Sequence, residues 1–269
     1  MNSPLVYVVP RIKIFSSRIC EELLETEFSC IALPLPEEVE ELLNVFLSKR
    51  KPFEEFLEEM LNILGLSEVY GKRYHYIKPI YNTLKSIKSI RKVNIVCYKS
   101  LDSELAEVNY LDKLLSLVAR VIVSEKIDIE SWKDFLLEVS EPLSEAVYEK
   151  LNLLSRSEAI IIVEYGNKHI LRYMERAGAR IVAPRGYIPI PLEVLIYVNM
   201  LLSEDEIIFL VKEYVRFIKE FLLKCHDIDE AYSLWASIRG KEIKDILLNL
   251  MKRANSSLEL SSFEAPSSL

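Results

Sequence analysis

The residues whose types and spacing could do chemistry lie in one short stretch, Glu164-Tyr165-Gly166-Asn167-Lys168-His169, with Arg185 in the nearby turn Pro184-Arg185-Gly186-Tyr187. Glu164 and His169 are five residues apart across a glycine turn. That spacing suits an acid/base pair at the mouth of a strand, and His169 is also the candidate metal ligand. Gly166 supplies the tight backbone, Asn167 stands beside it as a ligand-binding candidate, and Arg185 is the side chain that would clamp an anion with two parallel hydrogen bonds. A second reading stays open, in which His169 donates to the turn backbone and Glu164 is a salt-bridged carboxylate.

These residues need a scaffold, and the flanking sequence describes one. Ala159–Val163 is an unbroken apolar run, the pattern of a strand covered on both faces; a short helix, Gly178 and a second strand at Arg180–Ala183 follow. Ligand sites of open α/β sheets lie at the carboxyl ends of strands, where this turn falls. Leu5–Val9 and Phe28–Leu33 are β-branched or apolar runs on either side of the amphipathic segment Ser16–Glu27, a βαβ unit whose helix is expected to open at Ser16 or Ser17. Pro52 and Gly65 bracket a helix with Leu57, Met60, Leu61 and Leu64 on one stripe, and Tyr70–Ile90 feeds a strand at Lys92–Tyr98. Helices are expected over Leu101–Lys126 and Ile129–Ser155, the latter broken at Pro142.

The expectation is an α/β fold: a small, mainly parallel sheet of about five strands flanked by helices, with a C-terminal helical subdomain. The domain limits read as 1–189 for the α/β part, 190–255 for the helices and 256–269 for a flexible Ser-rich tail. Ser203 with Glu206 forms a capping box at the head of one C-terminal helix. Ile207, Ile208, Leu210, Val211, Tyr214, Val215, Phe217, Ile218, Phe221, Leu222 and Leu223 cover more of that helix than one core stripe needs. The surplus points to a protein partner or a homo-oligomer formed through the C-terminal helices, unless two neighbouring helices of the chain sandwich it.

Composition narrows the function classes. Half of the 269 residues are hydrophobic, enough for a core without disulfides or structural metal, and the net charge of −7 argues against general nucleic-acid binding. Lys85–Lys92 concentrates four basic residues without an acid and reads as a solvated helix end or an anion contact. The four cysteines lack CxxC spacing and read as reduced, buried thiols. No apolar run reaches the roughly 20 residues that cross a bilayer, and the amino terminus has no signal-type core, so the expected location is cytoplasmic. Heavy use of Ile, Leu, Glu and Lys suggests a thermophile. Of the remaining histidines, His75 sits in an aromatic group with Tyr70, Tyr74, Tyr76 and Tyr81, and His226 follows Cys225. Nucleotide-binding, zinc-protease and serine-hydrolase motifs are absent.

In layout, residues 5–184 resemble the Tiki/TraB/ChaN superfamily, whose pattern is a GxxH after the first strand, a Glu after the second, an Arg on an intervening helix and a second GxxH after a late strand. The late motif stands here as Gly166-Asn167-Lys168-His169. Pro10-Arg11-Ile12-Lys13 occupies the place of the first, Ala32-Leu33-Pro34 lacks the carboxylate, and Arg156 lies near the Arg position. The resemblance implies either a degenerate domain acting as a binding or scaffold protein, or a metal-dependent hydrolase using His169. A divalent metal is the cofactor it implies.

Overall fold

A computed structural model describes residues 3–139, 145–155, 158–198 and 201–261. Its centre is a five-stranded sheet of β1 (Leu5–Val9), β2 (Cys30–Pro36), β3 (Asn94–Lys99), β4 (Ala159–Glu164) and β5 (Arg180–Val182), in the order β3-β2-β4-β1-β5, every pairing parallel. The expected α/β class is the observed one. β4 is buried along its whole length because it is the middle strand and both faces are covered.

One face packs under α1 (Lys13–Glu25), α2 (Glu40–Ser48), α3 (Phe53–Leu64), the short α4 (Glu68–Gly71) with the 3₁₀ segment Lys72–Ile77, and α5 (Lys78–Ile90). Tyr7, Val9, Ile31, Leu33, Ile95, Cys97, Ile160 and Ile162 meet Leu23, Leu43, Met60 and Leu84 there. After α6 (Leu101–Ser124) and α7 (Ile129–Glu138), α8 (Glu145–Ser155) and α9 (Lys168–Arg176) cover the other face. Val6, Ala32, Ile161 and Val163 pack there against Leu151, Ile170 and Met174. The alternation of strand residues between the two clusters is the period of two made visible.

The sequence limits shift where neighbours decide them. α1 begins at Lys13, not Ser16, with Ile12 as an N-cap that makes no side-chain cap; Ser16 is fully buried and its hydroxyl donates to the Lys13 carbonyl. β2 runs on through Pro34 to Pro36, with a register irregularity against β3 between Leu33 and Pro36, since proline has no N–H to give the ladder. α3 ends on Gly65 at φ +65, the left-handed cap that its glycine foretold. His75 is solvent-exposed while Tyr74, Tyr76 and Tyr81 are buried, so it is no member of a packed aromatic group. Pro142 and Arg156 lie outside the described residues.

The chain forms two compact units, Met1–Asn109 with Pro142–Tyr187, and Tyr110–Glu141 with Ile188–Leu269. The first contains the sheet. The second holds most of α6, α7 and the C-terminal helices α10 (Pro191–Val198), α11 (Glu204–Glu220), α12 (Ile228–Trp235) and α13 (Lys241–Ser261). α11 opens on the expected capping box, Ser203 and Glu206 each bonding the other's backbone. α12 and α13 are joined by a π-helical turn, Ala236–Gly240. α13 continues to Ser261, into the segment read as a flexible tail; 262–269 lie outside the described residues. The apolar surplus of α11 is largely taken up inside the chain, with Ile207, Leu210, Val211, Val215, Phe217 and Phe221 all buried and α11 packed on α10 and α7.

Candidate functional site

β1 and β4 are neighbours at the centre of the sheet, and their connections leave in opposite directions: α1 leads toward β2 on one face, α9 toward β5 on the other. Such a reversal places a crevice at the carboxyl ends of the two strands. Glu164 is the last residue of β4, in register with Val9, the last of β1; Arg11 follows two residues on.

Instead of an open mouth, these ends carry a dense ion-pair cluster. Arg11 grips Glu164 with two parallel bonds, Nε to Oε1 at 2.7 Å and Nη2 to Oε2 at 2.9 Å. Lys99, the last residue of β3, reaches Glu164 Oε2 at 2.7 Å and Glu107 Oε1 at 2.6 Å. Glu104 and Glu107 project from the first two turns of α6, three residues apart and so on one face. Arg73 pairs with both, and Arg11 Nη2 also reaches Glu107 Oε2 at 2.5 Å. Two tyrosines on the 3₁₀ segment complete the set, the Tyr76 hydroxyl donating to Glu164 Oε1 at 2.7 Å and that of Tyr74 to Glu104 Oε1 at 2.5 Å. Three carboxylates thus face three cations. Glu104, Lys99 and Glu164 are buried, whereas Arg11 and Glu107 form the side nearer solvent.

Electrostatics follow from that balance. Burial alone would raise the Glu164 carboxyl, but Arg11 and Lys99 outweigh it and bring its pKa from 4.5 down to about 2. Burial likewise opposes the charge on Glu107, and Lys99, Arg11 and Arg73 hold it well below the usual carboxylate range. Lys99 stays above its ordinary value, because the carboxylates overcome its desolvation. Burial and the Glu164 charge push the Tyr76 phenol well up. Glu164, Glu107 and Lys99 are thereby held in their charged forms near neutrality, and Tyr76 in its protonated, donating form.

The residues singled out in the sequence divide between this cluster and the turn beside it. Glu164 lies in the cluster. Gly166 has φ +92, the left-handed backbone its place in the turn requires, and Asn167 is the N-cap of α9, its side chain accepting from Ile170 N at 3.3 Å. His169 is the second residue of α9 and half-buried. Arg185 is exposed beside Gly186, and its carbonyl accepts from Arg18 Nη1. Arg11, Arg73, Lys99, Glu104 and Glu107 were not read as site residues. Arg11 stands where the resembled family has its first motif, and the strand-end Lys99 with acids five and eight residues on was the one local signal available.

No family model, curated protein or solved structure matches this chain. The site has to be judged on its own chemistry. A catalytic divalent metal needs about three protein ligands and an open position. Among the described residues no group of three His, Cys, Asp or Glu side chains is disposed to hold a metal, and both oxygens of Glu164 are already engaged by cations. The residues present do not fit the metal that the resemblance implies.

Proposed function

We propose that this chain is a degenerate Tiki/TraB/ChaN-like domain that works by binding, as a scaffold or regulatory protein, and not by hydrolysis. The observation that carries the reading is the bidentate Arg11–Glu164 pair across the ends of β1 and β4, which engages both carboxylate oxygens at the strand ends where a substrate would be expected. A general base works best with a pKa near the operating pH, and a carboxyl held at about 2 is a poor proton acceptor at neutrality. A hydrolytic water would also need a metal or base that the cluster leaves no vacancy for.

The binding surface in this reading is on the helical unit. Leu223, Leu234, Ile238 and Ile246 stay exposed at 72%, 44%, 55% and 46%, apolar side chains that a protein partner or a second copy would cover. No described helix is long and apolar enough to cross a membrane. Metal analysis of protein purified without chelators, with His169→Ala alongside, tests the choice. Metal-free wild-type protein is expected. Stoichiometric metal lost on His169→Ala would replace this reading with the metal-dependent hydrolase.

A further inference from the structure

Lys85, Lys88, Arg91 and Lys92 crowd the carboxyl end of α5 and the turn into β3, in a chain with 41 acids against 34 Lys and Arg. Among the described residues, none of the four is ion-paired with a carboxylate. Lys88 Nζ instead donates to Asn44 Oδ1 at 2.8 Å. The Asn44 amide is itself fixed, because its Nδ2 donates to the Glu40 carbonyl at 3.0 Å and to the Ile95 carbonyl at 3.2 Å. The Glu40 carboxylate, one turn before Asn44 on α2, is taken by the backbone N–H of Cys97 at 2.8 Å. Arg91 Nη2 donates to the Leu23 and Thr26 carbonyls at the end of α1, at 3.3 and 2.6 Å, with the guanidinium 4.6 Å over the Phe28 ring. Both cations are half-buried and held by neutral groups, so their charge is positioned without being neutralised. Burial draws the Lys88 pKa below the ordinary lysine value, and no acid opposes it.

Lys88, Arg91 and Lys92, with Asn44 and Asn94, line a cleft of about 470 Å³. It lies at the amino end of β3, the opposite end of that strand from Lys99 and the ion-pair cluster. We propose that this cleft binds a small dianion of the phosphate class, inorganic phosphate or the phosphoryl group of a small molecule, through Lys88, Arg91 and Lys92. The site stands apart from the protein-binding surface of the proposed function. Three positive charges without a carboxylate match a dianion better than a single carboxylate, and the Arg91 bonds to α1 use Nη2 alone, leaving Nε and Nη1 for oxygen acceptors. The net charge of −7 disfavours an extended polyanion. The volume falls within the roughly 300–1,000 Å³ of small-molecule sites. Cations at a helix carboxyl end also offset the helix dipole, but that role accounts for neither the cleft nor the fixed Lys88–Asn44 bond.

The test is calorimetric titration of the full chain with inorganic phosphate and with glycerol phosphate at constant ionic strength, for wild type, Lys88→Gln, Lys92→Gln and, as a control, Lys113→Gln on α6. Wild type is expected to bind one phosphate group per chain with Kd at or below about 1 mM. Lys88→Gln should weaken binding about tenfold or more, the worth of one charge-assisted bond at a half-buried site. Lys92→Gln should weaken it about two- to fivefold, as an exposed charge does, and Lys113→Gln should bind as wild type does. Tighter binding of glycerol phosphate than of phosphate identifies the phosphoryl group of a small molecule as the ligand, and the reverse identifies the free ion. Thermal melts confirm that each variant is folded; Lys92 is exposed, so its variant decides the matter if Lys88→Gln does not fold. The proposal is overturned if wild type shows no saturable binding up to about 10 mM of either probe, if chloride at equal ionic strength competes equally, or if the folded Lys88 and Lys92 variants bind as wild type does.

Discussion

Glu164→Gln keeps the shape of the side chain and removes its charge, leaving Arg11 and Lys99 with one carboxylate fewer. The size of the effect follows from linkage. A carboxyl brought from 4.5 to about 2 on folding contributes about 3 kcal/mol at neutrality, at 1.36 kcal/mol per pKa unit. The figure agrees with the roughly 3–5 kcal/mol lost when one partner of a buried pair is removed, reduced because the Arg11 side chain is 38% exposed and Lys99 retains Glu107. At about 2–4 °C per kcal/mol, melting should fall by about 6–12 °C. The sign of the pH dependence is set by a depressed folded pKa: the contribution is complete above about 4.5 and is lost as pH falls toward 2. Wild type should therefore lose stability steeply across that window, and Glu164→Gln should follow a flatter acid profile while starting lower at pH 7. Thermal melts at half-unit intervals from pH 2 to 7 give both curves. A loss under about 0.5 kcal/mol at pH 7, or parallel acid limbs for the two proteins, would refute the view of a coupled, desolvated cluster.

Gly166→Val should cost about 1–3 kcal/mol by chemical denaturation, all of it backbone strain, because φ is +92 and an added Cβ would meet nothing within 4 Å. Asn167→Ala removes the cap of α9 and should lower stability by about 0.5–2 kcal/mol, with Asn167→Asp retaining most of it. Ser203→Ala breaks the capping box of α11 and should cost a similar amount, read as faster amide exchange in the first turn of that helix.

The elements were legible because each is written locally. The apolar run at 159–163 became the buried β4, the Pro52 and Gly65 brackets became the ends of α3, Ser203 and Glu206 capped α11, and Gly166 took the positive φ its turn demanded. Periodicity and caps involve residues within a turn or two of one another, so a single stretch carries the whole signal. Glu164 was legible as a candidate for the same reason, as a carboxylate at a strand end.

Its partners were not. Arg11 follows β1, Arg73 lies in a 3₁₀ turn, Lys99 ends β3, and Glu104 and Glu107 stand on α6; in the sequence they are a scattering of ordinary charged residues. What unites them is the strand order, which lays β4 between β2 and β1 and sets Val9 opposite Glu164. The chain by itself determined which stretches form strands and helices, and it made the end of β4 the expected place for a site to open. Whether that opening stays free or is sealed by its own ion pairs was decided only by tertiary structure, because long-range pairing depends on which strands become neighbours, and no local pattern encodes that choice.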